Sequence, residues 1–168
     1  IVVACNTVSA LALDYLNSTF SIPIIGVIDP GVEKAVEISQ NNKIAVLGTS
    51  ATIRSDAYGK RLKAIKPEVV VTSQACPLFV PLAEEGWIDG KIPSQIATYY
   101  LSSIKKMDVD TVILGCTHYP LLKKTIHSCL GDHIRLVDSG EAVVKNVISE
   151  VEKMKGLSSS TRGKIRCY

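Results

Sequence analysis

The chain has 168 residues, 46% of them hydrophobic and 21% charged, with a formal net charge of +3 and a mean hydropathy of +0.23. This composition excludes a disordered, collagen-like or low-complexity chain, and the length suits one ordinary domain or two small ones. No apolar run approaches the ~18 residues of a membrane helix, and weak, scattered positive charge without interleaved aromatics argues against nucleic acid as a main partner.

In chain order, a strand is expected at Ile1–Cys5, then a helix with Val8, Leu11, Tyr15 and Leu16 on one face. A second strand covers Ile22–Ile28, broken by Pro23 and Gly26, and Pro30-Gly31 marks a crossing between two lobes. Lys43–Thr49 is a strand whose end, Gly48-Thr49-Ser50-Ala51-Thr52, opens a helix. Glu68–Ser73 is the next strand, and Cys76-Pro77-Leu78-Phe79-Val80-Pro81-Leu82 begins a strand-to-helix turn closed by Glu84 and Glu85. Ile96, Tyr100, Ile104 and Met107 fit a helix face, followed by strands at Thr111–Cys116 and Ile134–Asp138. Asp138-Ser139-Gly140 is the second crossing point, and Val144, Val147, Ile148, Val151 and Met154 form another helical face. A loop over Gly156–Gly163 and a strand at Lys164–Tyr168 end the chain. Short, nearly continuous apolar strands alternating with helices predict an α/β fold with mainly parallel sheet.

Five cysteines, Cys5, Cys76, Cys116, Cys129 and Cys167, include no C-x-x-C pair, so structural zinc has little support. Their odd number and wide spacing fit a reducing, cytoplasmic setting. Ile1 stands inside an apolar run, and the last residues also read as strand. The chain is therefore expected to continue at both ends, and a targeting segment before Ile1 stays open.

An internal similarity carries the chemistry. Ile1-Val2-Val3-Ala4-Cys5-Asn6-Thr7 and Val112-Ile113-Leu114-Gly115-Cys116-Thr117-His118 share one arrangement: apolar strand, small residue, cysteine, short polar residues. Two related lobes would each place a cysteine at the C-terminal end of a strand, where open α/β sheets bind ligands. A helix start beside each thiol is expected to lower its pKa from about 8.5. Inverting a stereocentre by proton transfer needs a base on one face of the carbon and an acid on the other, which two facing thiols supply. The alternative is two buried structural cysteines at strand ends. Thr49 and Thr52 suit a bound carboxylate or a plain helix cap. Cys76 reads as structural, and the two glutamates as a solvated face.

Taken together, Ala4-Cys5-Asn6-Thr7, Gly48-Thr49 with Thr52, Cys76 to Leu82, and Gly115-Cys116-Thr117-His118-Tyr119-Pro120 resemble, in this order, the glutamate branch of the cofactor-independent aspartate/glutamate racemase superfamily. The resemblance covers essentially the whole chain. It implies two pseudo-symmetric α/β lobes with the active site between them: residues 30–137 form the second, residues 1–29 and 138–168 part of the first. Cys5 is then implied to act on the D-glutamate face and Cys116 on the L-glutamate face. Asn6, Thr7 and Thr117 are implied to hold the amino and carboxylate groups, and Thr49 and Thr52 to line the cleft. Glu84 matches the family's active-site glutamate, and His118 the histidine that assists Cys116. Cys129 and Cys167 match no functional position.

The implied function is racemisation of glutamate without a cofactor, supplying D-glutamate for peptidoglycan in the cytoplasm. The expected partner is the small-molecule substrate, neither nucleic acid nor membrane, with a homodimer left open. The family's opening Asp-Ser-Gly motif and later Pro-Tyr-Gly segment do not occur before Cys5. Asp138-Ser139-Gly140 lies too late in the chain to replace the former. The 168-residue chain alone is therefore expected to be weakly active or inactive. A racemase of another small amino acid such as aspartate, and a non-catalytic binding module, remain the alternatives.

Overall fold

The structure, a computed structural model, describes residues 1–154 and 166–167. Four strands rich in Val, Ile and Leu, β3 (Lys43–Gly48), β4 (Val70–Ala75), β5 (Thr111–Gly115) and β6 (Arg135–Asp138), form a sheet in the order β4-β3-β5-β6. Every pairing is parallel. The register aligns Gly48 with both Ala75 and Gly115, so Thr49, Cys76 and Cys116 leave the sheet at the same end. One stretch of sequence logic thus sets three site-forming loops side by side.

Side chains alternate across this sheet. Ile44, Val46 and Ile113 face a core built with α3 (Ile28–Ile38) and α5 (Ala57–Ile65), including Val32, Ala35, Tyr58 and Leu62. Ala45, Leu47, Val112 and Leu114 face the opposite core, filled by α6 (Phe79–Glu84), α7 (Lys91–Leu101) and α8 (Lys123–Leu130). Phe79, fully buried, meets Tyr100 and Tyr119 edge-on at 5.4 and 5.3 Å. All five residues of β5 are buried, which accounts for its unbroken apolar character.

A second, parallel sheet joins β1 (Val2–Val3) to β2 (Ile25–Gly26). α1 (Asn6–Leu11) packs on β1, α2 (Leu13–Thr19) adjoins α1, and α9 (Ser139–Lys153) packs chiefly on α3 while touching β2, β5 and β6; α4 (Ser50–Ser55) follows β3. β1 and β2 are both shorter than expected, and Ala12 breaks the first helix into two. Their helical periodicity forms helices but not buried faces: Leu11, Tyr15, Val144 and Ile148 are 62, 70, 51 and 49% exposed. Two strands of two residues each offer too little surface to cover them. Pro30-Gly31, the first crossing point read from sequence, lies in the first turn of α3, where a Cβ on Gly31 would stand 3.3 Å from that of Ser139 on α9. The loop expected at 156–163 lies outside the described residues, as does most of 164–168. Among the described residues, no helix is long and apolar enough to cross a membrane.

The opposite end of the sheet is closed by Asp110. Its carboxylate accepts from Ser39 Oγ, the Gln40 and Asn41 backbone N–H groups and Thr111 Oγ1, at 2.6–2.9 Å. Burial alone would raise its pKa, but the donors, Asn41 first, outweigh burial and hold the carboxyl below its usual value. Because the folded value is depressed, Asp110 stabilises the fold above the unfolded carboxylate pKa of ~3.9, and this is lost as pH falls through the folded value. Asp110→Asn should therefore lower Tm at pH 7 by a few degrees and flatten the loss of Tm between about pH 5 and 2. Parallel Tm–pH curves for the two proteins would contradict this.

Candidate active site

Cys116 follows β5 directly and is buried, 6% exposed. Its Sγ lies 3.7 Å from His118 Nδ1, and His118 Nε2 lies 3.2 Å from Glu84 Oε1 on α6. A carboxylate, an imidazole and a thiol thus stand in sequence, the arrangement that passes a proton to or from sulfur. The expected lowering of this thiol is overturned. Burial pushes Cys116 up, against the pull of the His118 and Tyr119 backbone N–H groups and the Thr117 hydroxyl, and charge on Cys5 pushes it further. The helix start expected beside it is also displaced: a short 3-10 turn, Tyr119–Leu122, separates Cys116 from α8.

Cys5 is the N-cap residue of α1, at the strand-to-helix position the internal similarity predicts, and is exposed. The two thiols leave different sheets. Ala4 and Thr117, neighbours of the two thiols, line one cavity of about 460 Å³ with Val27, Pro120 and Ser139.

The threonines converge as well. Thr7 Oγ1 lies 3.0 Å from both Thr49 Oγ1 and Thr52 Oγ1, and these two are 3.0 Å apart. Three hydroxyls from α1 and the β3–α4 junction form a triangle, able to turn its protons toward a carboxylate. The helix-cap reading of Thr49 is met, since its Oγ1 accepts from the Thr52 N–H as the N-cap of α4. Asn6, beside Cys5, is buried at 1% exposure. Thr117 is exposed next to Cys116.

Cys76 is structural, as expected: it is fully buried, burial pushes its thiol up to about 12, and its carbonyl accepts from Tyr119 Oη at 2.9 Å. Cys129 sits on α8 with Sγ 3.9 Å from Thr98 Oγ1, away from the other site residues. Asp138 caps α9, accepting from the Gly140 and Glu141 N–H groups, which explains its Asp-Ser-Gly sequence locally. Two residues of the site were not singled out from sequence. Tyr58 and Ser139 both bind the Asn6 side chain. Tyr58 carries no sequence mark of this role, and Ser139 reads only as part of the second crossing point.

The profile of the Asp/Glu/hydantoin racemase family matches residues 1–147. A glutamate racemase of Geobacter metallireducens is 50% identical over 151 residues, which are 90% of this chain and 56% of that protein. The crystal structure of glutamate racemase isoform RacE1 from Bacillus anthracis is similar with a TM-score of 0.90 at 37% identity, over 94% of this chain and 59% of that one. The Francisella tularensis glutamate racemase, solved in complex with D-glutamate, gives a TM-score of 0.89 at 36% identity, over 96% and 60% of the two chains. The chain thus spans a little over half the length of the relatives it matches.

Proposed function

The chain belongs to the Asp/Glu/hydantoin racemase family, and from that membership we propose that the protein is a glutamate racemase that uses Cys5 and Cys116 as acid and base. The observation that carries the reading is the pair of cysteines leaving strands of two separate parallel sheets, with their neighbours Ala4 and Thr117 lining one cavity and His118 and Glu84 standing in line with Cys116. A two-base inversion requires one of them as thiolate and the other as thiol.

In the D to L direction, Cys5 as thiolate takes the α-proton and Cys116 as thiol delivers one to the opposite face. The reverse direction exchanges the roles. Burial favours the neutral form of Cys116, which suits it to be the donor in the first direction. With Nε2–H donated to Glu84, His118 Nδ1 carries the lone pair that receives the Cys116 proton for the second. Asn6, Thr7 and Thr117 hold the amino and carboxylate groups, with Thr49 and Thr52 completing the hydroxyl cluster. The α-proton is far less acidic than a thiol, so these donors must stabilise the charge that develops on the substrate. No cofactor enters this scheme.

Residues 30–137 act as one lobe, with 1–29 and 138–168 belonging to the other. The cytoplasm is the setting, and D-glutamate for peptidoglycan the product. The test compares turnover of L-glutamate and L-aspartate by the full-length protein, followed by change in optical rotation. Glutamate should be favoured by at least about 100-fold in kcat/KM, since a carboxylate one methylene short leaves polar partners unmet. Equal turnover, or a preference for aspartate, would contradict the assignment.

A further inference from the structure

Beside the two thiols lies a buried polar network whose Tyr58 and Ser139 the scheme above does not use. The Asn6 carboxamide spends both Nδ2 protons inside the protein, on Tyr58 Oη at 2.7 Å and Ser139 Oγ at 2.9 Å. Ser139 Oγ donates in turn to the Leu114 carbonyl at 3.4 Å, on β5 two residues before Cys116. Tyr58, 2% exposed, packs its ring on the same strand: a Cβ on Gly115 would stand 3.1 Å from Tyr58 Cε2. One network therefore joins the turn that carries Cys5 to the strand that carries Cys116.

In the structure the Ser139 hydroxyl is directed to the Leu114 carbonyl, and the amide turns its NH2 toward both Ser139 Oγ and Tyr58 Oη. Asn6 Oδ1 is then left as a buried side-chain acceptor without a partner, the sole such atom found among the described residues. A protein interior rarely leaves such an atom unmet, because desolvation is not compensated. A substrate ammonium needs an acceptor of this kind, whereas the flipped amide would offer it an NH2.

We propose that Tyr58 and Ser139 are positioning residues that clamp the Asn6 carboxamide with Oδ1 free for the substrate ammonium, and tie the Cys5 turn to the Cys116 strand. The proposal rests on the racemase reading for its ligand but not for its network.

Tyr58→Phe and Ser139→Ala in the full-length protein test it, with three readouts: kcat and KM for glutamate, Tm, and hydrogen exchange of the Asn6 side-chain amide by NMR. Each variant should speed exchange of that amide at least about 10-fold and raise KM about 10-fold, with a smaller fall in kcat, because binding of the ammonium is weakened in the ground state and transition state alike. A folded variant with a lower Tm but unchanged KM would show a merely structural role and overturn the proposal. So would an Asn6 amide that exchanges as fast in the wild-type protein as in the variants. If Tyr58→Phe does not fold, Ser139→Ala carries the same three measurements. Should the wild-type protein leave glutamate untouched, the racemase reading fails, and amide exchange alone then decides the network.

Discussion

Serine in place of Cys116 should lower racemisation of glutamate by at least about 1,000-fold, with Tm nearly unchanged. A positioned acid or base contributes roughly 100- to 10,000-fold, and a serine hydroxyl stays protonated far above neutral pH, so it cannot take up the role of base. The swap exchanges sulfur for oxygen at a buried strand end without changing the number of atoms, so packing is largely kept. The two thiols should also be separable. With Cys116→Ser, Cys5 can still remove and return the proton on its own face. D-glutamate should therefore keep exchanging its α-hydrogen with solvent faster than L-glutamate does. Cys5→Ser should reverse that preference. Proton NMR in deuterium oxide reads both exchanges. Full racemisation by either variant would remove the thiol pair from the mechanism.

The second large effect is expected at Gly115. An added Cβ would stand 2.7 Å from the Leu47 carbonyl oxygen and 3.1 Å from Tyr58 Cε2. The first obstacle is backbone of the neighbouring strand β3, paired through Leu47↔Leu114 and Gly48↔Gly115, and cannot rotate away as a side chain could. Gly115→Ala must therefore push β3 and β5 apart or drive Tyr58 out of its packing. Overpacking of this kind costs about 1–3 kcal/mol. For a chain of this size the upper value corresponds to a fall in Tm of about 6–12 °C. The same shift moves Cys116, the next residue, and a displacement of about 1 Å at a reacting group can cost about 100-fold in rate. Thermal unfolding and turnover should fall together. A Tm within about 1 °C of the wild-type value would contradict the close approach of these strands.

Why glycine stands before Cys116 illustrates what the sequence could and could not yield. In the sequence Gly115 reads as a small residue before the cysteine; the structure shows that an added Cβ there would face Leu47 and Tyr58. The Val- and Ile-rich runs predicted the parallel sheet because strands covered on both faces have no polar side to interrupt them. Thr49, Cys76 and Cys116 were legible as strand ends for the same reason. Exposure was not legible around α1, α2 and α9. Periodicity reports which residues share a face, while burial depends on whether anything packs there, and β1 and β2 are too short to cover Leu11 or Tyr15. The Cys116 thiol was misjudged because a helix start was expected beside it. A 3-10 turn intervenes, and burial dominates. Tyr58 and Ser139 were missed because their importance comes from one long-range partner, Asn6, which lies 52 and 133 positions away.

The most direct test of the two-thiol mechanism is early-time labelling in deuterium oxide, starting from pure L-glutamate and the full-length wild-type protein. When one thiol removes the α-proton and the other returns a solvent-derived deuteron to the opposite face, the D-glutamate formed first carries deuterium at Cα while the remaining L-glutamate stays unlabelled. Starting from D-glutamate, the pattern should invert. Deuterium entering the starting enantiomer as fast as the product would mean that a single group serves both faces, and would contradict the account.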